Sequence, residues 1–348
     1  MLRVYLTSIT LLLIGISTFA QIGGNNTFEF LNLPASARAA ALGGNAITFN
    51  DADLSIAYQN PALISPKMHN EISVSSVAYF SGVNFGHIAI AKHYDSIETT
   101  FSGGLQYAYY GVFDGYDATG QPIADFGAAE TALNLGAARS IKKFTYGANA
   151  KIVYSQLEQY SAFGLALDLG GTYTDTTKRI NVSAVVKNIG LQVKAFRPNN
   201  REPVPFEIQL GVSQKLKHLP FRWSIIGHNL QTPNIRFDDP TQVQENTLFA
   251  DTVANAKEQK FITDKIFRHI IFGGEFYFGK NFRARIGYNH LRRQELSIEP
   301  RRAIVGFSLG AGVRIKQFNI NYAWAKYSLA GASNHFTLTT NLDRFGKN

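Results

Sequence analysis

Cysteine is absent from this chain, which excludes a disulfide framework and any anchor built on a lipidated cysteine. Long apolar runs are missing too. Beyond the first twenty residues nothing approaches the roughly 18 uncharged apolar residues of a membrane-crossing helix, which argues against a helical membrane protein. The eight histidines are scattered, with no pair at the helical spacing of a metal site. No basic recognition helix accompanies the net charge of +9, so nucleic acid is a poor partner. That excess leaves two readings open: attraction to anionic lipid or polysaccharide at a membrane surface, or basic residues in turns and lumen that aid solubility.

What is present is alternation. In Phe318-Asn319-Ile320-Asn321-Tyr322-Ala323-Trp324-Ala325 the large apolar side chains fall on one side and Asn or Ala on the other, the period of a β-strand. The same pattern recurs in 144–155, 206–213, 282–289 and 306–315. One face carries Lys151, Asp168, Glu207, Glu275, Arg283, Arg285 and Arg314, which the core of a soluble sandwich could not bury cheaply. A closed sheet turned inside out accommodates them, with a polar lumen and a lipid-facing apolar wall. The expected fold is therefore all-β, a transmembrane antiparallel β-barrel of about fourteen strands. Aromatic content of 13% and 30 glycines suit it.

Strands are expected near 70–79, 83–93, 97–111, 126–140, 143–157, 160–174, 179–189, 204–217, 221–230, 267–279, 282–291, 302–315, 317–327 and 333–342. Every second connection is short, as at Ile141-Lys142, Lys280-Asn281 and Lys316, whereas 112–125, 190–203, 231–266 and 292–301 are long. In outer-membrane barrels short turns face the periplasm and long loops face outside, which puts both chain ends inside a Gram-negative envelope. Residues 1–20 read as a signal peptide, with Arg3, an apolar run from Val4 to Gly15 and small residues at Thr18 and Ala20, predicting cleavage before Gln21.

Residues 21–69 alternate too poorly to join the 70–348 wall. Pro34, the run Ala37-Arg38-Ala39-Ala40-Ala41 and Gly43-Gly44 predict one short helix with a start and a stop, followed by acidic Asp51 and Asp53 and by Tyr58-Gln59-Asn60-Pro61-Ala62-Leu63. This piece is a candidate plug. Inward glycines such as Gly306, Gly310 and Gly312 either let a plug backbone approach the wall or relieve curvature.

The ordered set Gln21-Ile22-Gly23-Gly24-Asn25-Asn26-Thr27-Phe28-Glu29-Phe30-Leu31, Ser36 to Gly44 and Gln59-Asn60-Pro61-Ala62-Leu63 resembles the PorQ branch of the PorV/PorQ family. Those are outer-membrane barrels of the Bacteroidetes type IX secretion system, related in fold to the fatty-acid transporter FadL. The resemblance implies a fourteen-stranded barrel with an N-terminal plug, in which Arg38, Gly43, Gly44, Asn60 and Pro61 are plug-motif positions. It also implies a non-enzymatic role in a surface attachment complex, holding a PorZ-like partner beside PorU and PorV. Many such barrels end on an aromatic residue; this chain runs on past Phe345, the candidate substitute.

Among the loops, 231–266 carries Phe237, Asp238, Asp239 and Phe249, and its length suits partner docking or a cap over the mouth. Its 254–265 end reads as a short surface helix. Phe196 and Arg197 mark a second candidate docking loop, and Arg292 and Arg293, closing on Pro300-Arg301-Arg302, a third. Arginine forks there match lipopolysaccharide phosphate, or simply flank a strand end at the headgroup layer. Asp114 and Asp117 lack the ligand density of a calcium site. Gly306-Phe307-Ser308-Leu309-Gly310 matches a nucleophile motif, but the strand continues where that chemistry needs a sharp elbow, so no catalytic, metal or cofactor residues are assigned. Two functions remain: an anchor for a surface complex, and a FadL-like channel for hydrophobic or small solutes.

Overall fold

The computed structural model describes residues 26–79, 82–117, 119–235, 263–295, 304–326 and 331–345. The signal-peptide region, the docking candidates Phe237, Asp238, Asp239 and Phe249, nearly all of the 254–265 segment and Pro300-Arg301-Arg302 lie outside them.

Fourteen antiparallel strands close into a barrel in which each pairs with its neighbours in sequence. They are β1 (Glu71–Ala78), β2 (Asn84–Tyr94), β3 (Thr99–Tyr116), β4 (Pro122–Ile141), β5 (Phe144–Leu157), β6 (Tyr160–Asp175) and β7 (Ile180–Lys194). The second half comprises β8 (Glu207–Lys215), β9 (Phe221–Gly227), β10 (Ile270–Phe278), β11 (Phe282–Asn289), β12 (Phe307–Ile315), β13 (Phe318–Lys326) and β14 (Ala332–Asn341). The seam joins β1 to β14 in register from Glu71↔Asn341 to Ala78↔Asn334. With no open edge, every strand has two neighbours, as the hydrocarbon layer requires.

All fourteen expected strands occur, with shifted ends. β3 and β4 run on to leave only 117–121 between them, so most of the expected loop 112–125 is strand. Asp117 explains the tightness: its Oδ1 accepts from Thr119 N at 2.8 Å, Thr119 Oγ1 at 2.7 Å and Gln121 N at 2.9 Å. The carboxylate is thus a turn cap. Likewise β7 extends to Lys194, and the connection to β8 becomes 195–206.

Alternation sorts the wall as expected. Leu135 (52% exposed), Leu309 (50%) and Phe336 (55%) face outward, while Asp168 and Glu275 are fully buried inside. One rim gathers the connections 95–98, 142–143, 176–179, 216–220, 279–281 and 316–317 together with the start of β1 and the turn Leu342–Arg344; the opposite rim carries the ends of β7, β9 and β11, where the longer connections begin, and the first described residues, Asn26 to Phe28. Paired outward rings line the short-connection rim, Tyr94 with Phe101, Phe144 with Tyr173 and Phe221 with Phe276, forming the aromatic girdle of a membrane barrel. Phe345 joins this girdle 5.8 Å from Phe318.

Candidate functional site: the filled lumen and its mouth

The described part of the N-terminal segment packs inside the barrel. Ser36 caps the helix Ala37–Ala41 by accepting from Arg38 N at 3.2 Å, and four alanines let that helix lie close against the wall, where Ala37, Ala40 and Ala41 pack on Ala323. Gly43 (φ 91°) and Gly44 (φ 108°) end it in left-handed conformations. Gly43 N then donates to Ser308 Oγ at 3.1 Å, and Ser308 Oγ donates to Ala41 O at 3.1 Å. The serine of the nucleophile-like motif is therefore occupied in docking this helix.

The wall meets the segment with glycine. A side chain on Gly310 would strike Ala41, one on Gly287 the Leu42–Gly43 backbone, and one on Gly147 the Pro61 carbonyl. Of the two readings for inward glycine, close approach holds at Gly310, whereas Gly306 faces Asn289 and Arg293 at the mouth and Gly312 the wall side chains of Asn321 and Arg285.

Asn60 fastens the second half. Its Nδ2 donates to Ile47 O at 2.7 Å and Thr172 Oγ1 at 3.2 Å, and its Oδ1 accepts from Ala62 N at 2.9 Å, with Pro61 opening the 3₁₀ turn Pro61–Leu63. Gln59 clamps the other half of the segment, accepting from Ala46 N at 2.8 Å and donating to Gly44 O at 2.9 Å. Asn60→Ala should lower stability by about 1–3 kcal/mol, because a buried carbonyl and an amide lose their partners at once. Urea unfolding followed by tryptophan fluorescence checks this.

Arg38, wholly buried, is the centre of the lumen. Its guanidinium grips Asp51 bidentately at 2.7 and 2.8 Å, and reaches Asp53 at 3.0 Å and Glu275 at 3.0 Å. Glu275 is shared with Arg285 at 2.8 Å, and Asp51 with Arg222 at 3.2 Å. Register explains the wall's part: Arg222, Glu275 and Arg285 lie side by side across β9, β10 and β11. Arg38 and Arg222 sit over the Phe49 ring, 5.1 and 5.4 Å from its centroid. Burial pushes the Asp51 carboxyl up, but Arg38 and Arg222 more than reverse this and hold it well below the usual carboxylate range. Three carboxylates drawn from the segment and the wall thus share one arginine, satisfying charges that would otherwise be stranded.

A second buried group ties the segment to the opposite wall. Lys151 meets Asp168 at 2.7 Å and Asn188 at 2.8 Å, while Asn188 Nδ2 donates to Asn32 Oδ1 at 2.9 Å. Asn188 (φ 55°) sits at an irregularity of the β6–β7 pairing, which turns its amide inward.

At the mouth the sequence-selected arginines divide. Arg292, in the short helix His290–Glu295, turns inward and donates to Gly43 O at 3.3 Å, and Arg293 donates to Val305 O at 3.5 Å. Arg197 lies 5.6 Å over the Tyr160 ring, and Phe196 packs against the cluster around Phe28 and Phe30. The structure therefore joins Arg292 to the lumen and keeps Phe196 and Arg197 at the rim. Sequence reading overlooked the cavity beside them, of about 630 Å³, which is lined by Phe28, Tyr110, Phe113, Phe126, Tyr160 and Phe196. Its rings come from five separate elements, the N-terminal segment, β3, β4, β6 and the connection after β7; the clustering of aromatics at strand ends was the one available signal.

No family model and no curated protein matches this chain. Among solved structures it is similar to a mutant of the monoaromatic hydrocarbon channel TodX, at 13% identity and TM-score 0.50, over 90% of this chain and 98% of that one. The toluene transporter TbuX of Ralstonia pickettii follows at 12% identity and TM-score 0.49, over 90% and 98%. A FadL homologue of Pseudomonas aeruginosa has 11% identity and TM-score 0.47, over 89% and 98%. At such identities the likeness concerns the fold. The chain is a closed β-barrel with an apolar outer face, of the fold that the TodX channel has.

Proposed function

We propose that this protein is an outer-membrane component of the type IX secretion system, of the PorV/PorQ family, that holds a PorZ-like surface protein at its long-connection mouth, beside PorU and PorV. One observation carries the reading: the lumen is occupied by a segment fastened through Arg38 to Asp51, Asp53 and Glu275. A barrel tied shut by buried ion pairs is built to present its outer rim, and the residues doing the tying belong to the motifs that resemble that family. Arg38, Gly43, Gly44, Asn60 and Pro61 all act in docking the segment.

A second reading, a channel for hydrophobic or small solutes, is favoured by the aromatic cup at the mouth and by the comparisons, since TodX is a monoaromatic hydrocarbon channel of the same fold. Two experiments separate them. Under the attachment reading, deleting 236–262 removes a specific surface protein from material co-purified out of native outer membrane; an unchanged partner list refutes it. Reconstitution in planar bilayers or liposomes reads the other, where steady conductance or toluene uptake supports the channel.

A further inference from the structure

The cup at the long-connection mouth is aromatic and also acidic. Glu29, Glu130, Glu158 and Glu202 line it among the rings, and among the described lining residues there is no Lys or Arg, the nearest guanidinium being that of Arg197 over the Tyr160 ring, in a chain of net charge +9. Glu130 accepts from Tyr110 Oη at 2.5 Å and Glu29 from Asn26 Nδ2 at 2.7 Å. Among the described residues, the Glu158 and Glu202 side chains have neither a cation nor a hydrogen-bond donor. A separate observation points the same way: Thr27, 4% exposed, lines the cup with its hydroxyl making no hydrogen bond among the described residues. Buried hydroxyls are ordinarily satisfied, so this one leaves a hydrogen-bonding capacity unused in the wall of the cup.

We propose that this cup receives a lysine or arginine side chain of the surface partner, its alkyl stem against the Phe113, Phe126 and Phe196 rings and its cationic head between Glu158 and Glu202. This rests on the attachment reading and adds the chemistry of the contact. A purely apolar solute would gain nothing from four carboxylates, and a hydrated inorganic cation has no stem to bury against the rings. A basic side chain uses both, through stem burial, attraction to ring faces and N–H donors for carboxylate and hydroxyl oxygens.

The test uses the full chain in lipid nanodiscs and two probes, Ac-Leu-Lys-Leu-NH₂ and its norleucine counterpart, which keeps the stem and removes the charge. Calorimetric titration should show the lysine peptide binding about fivefold more tightly. Glu158→Gln with Glu202→Gln should abolish that difference and leave norleucine-peptide binding unchanged. Equal binding of both peptides, binding of neither, or a preference that survives the double substitution overturns the proposal. Co-purification keeps the two readings apart: a surface partner lost on deleting 236–262 but fully retained by the double variant preserves the attachment reading and rejects the cup.

Discussion

Arg38→Ala should release the luminal segment while leaving the barrel closed. The substitution strands Asp51, Asp53 and Glu275 among buried groups, with Arg222 and Arg285 as their remaining cations. Removing one partner from a buried ionic network costs about 3–5 kcal/mol, chiefly because the remaining charges stay desolvated. The wall has its own ladder of backbone hydrogen bonds, sealed at β1 and β14, and does not depend on Arg38. Limited proteolysis should therefore cut within 26–69 in the variant and spare the wild type, while both migrate as folded barrels on unheated gels. Arg38→Lys should recover only part of the protection, because one ammonium cannot reproduce the two-pronged grip on Asp51. Equal protease resistance in Arg38→Ala and wild type would remove the ion pairs from the account of how the lumen is filled.

Gly287→Val is expected to have the second largest effect, through shape instead of charge. A Cβ there meets the backbone of Leu42 and Gly43, which has no rotamer by which to move aside. Overpacking of this kind costs about 1–3 kcal/mol, and the segment has to lift from the wall to relieve it. Gly171→Ala is the matched control: it too lies in a strand, yet nothing comes within 4 Å of an added Cβ, so its effect should stay within about 0.5 kcal/mol. Thermal unfolding of the two variants beside wild type checks the pair, and an equal loss in both would show that strand propensity, not close approach, governs these glycines.

The wall was legible because its code is local. Lys151, Asp168, Glu207, Glu275 and Arg285 alternate with apolar neighbours, and each lies inside the barrel. Strand ends were less legible. The 112–125 stretch has aromatics and aspartates of the kind found in loops, but a register shift near Gly111 and the Asp117 cap carry β3 and β4 outward. The segment's helix was readable from Ser36, the alanines and Gly43-Gly44. Its partners were not. Arg292 looked like a surface anion site, yet it bonds Gly43 O across 249 residues of sequence.

By itself the sequence determined a closed sheet, its inside and outside, its strand number and a detached N-terminal piece, since side-chain period and connector length are properties of neighbouring residues. Only the tertiary structure decided that Arg38 would find Glu275 237 residues away, that glycines on β5 and β11 would admit a backbone and one on β12 an alanine methyl, and that five elements would join their rings into one acidic cup. Those pairings follow from where closure of the barrel brings each inward side chain, and no local pattern records that.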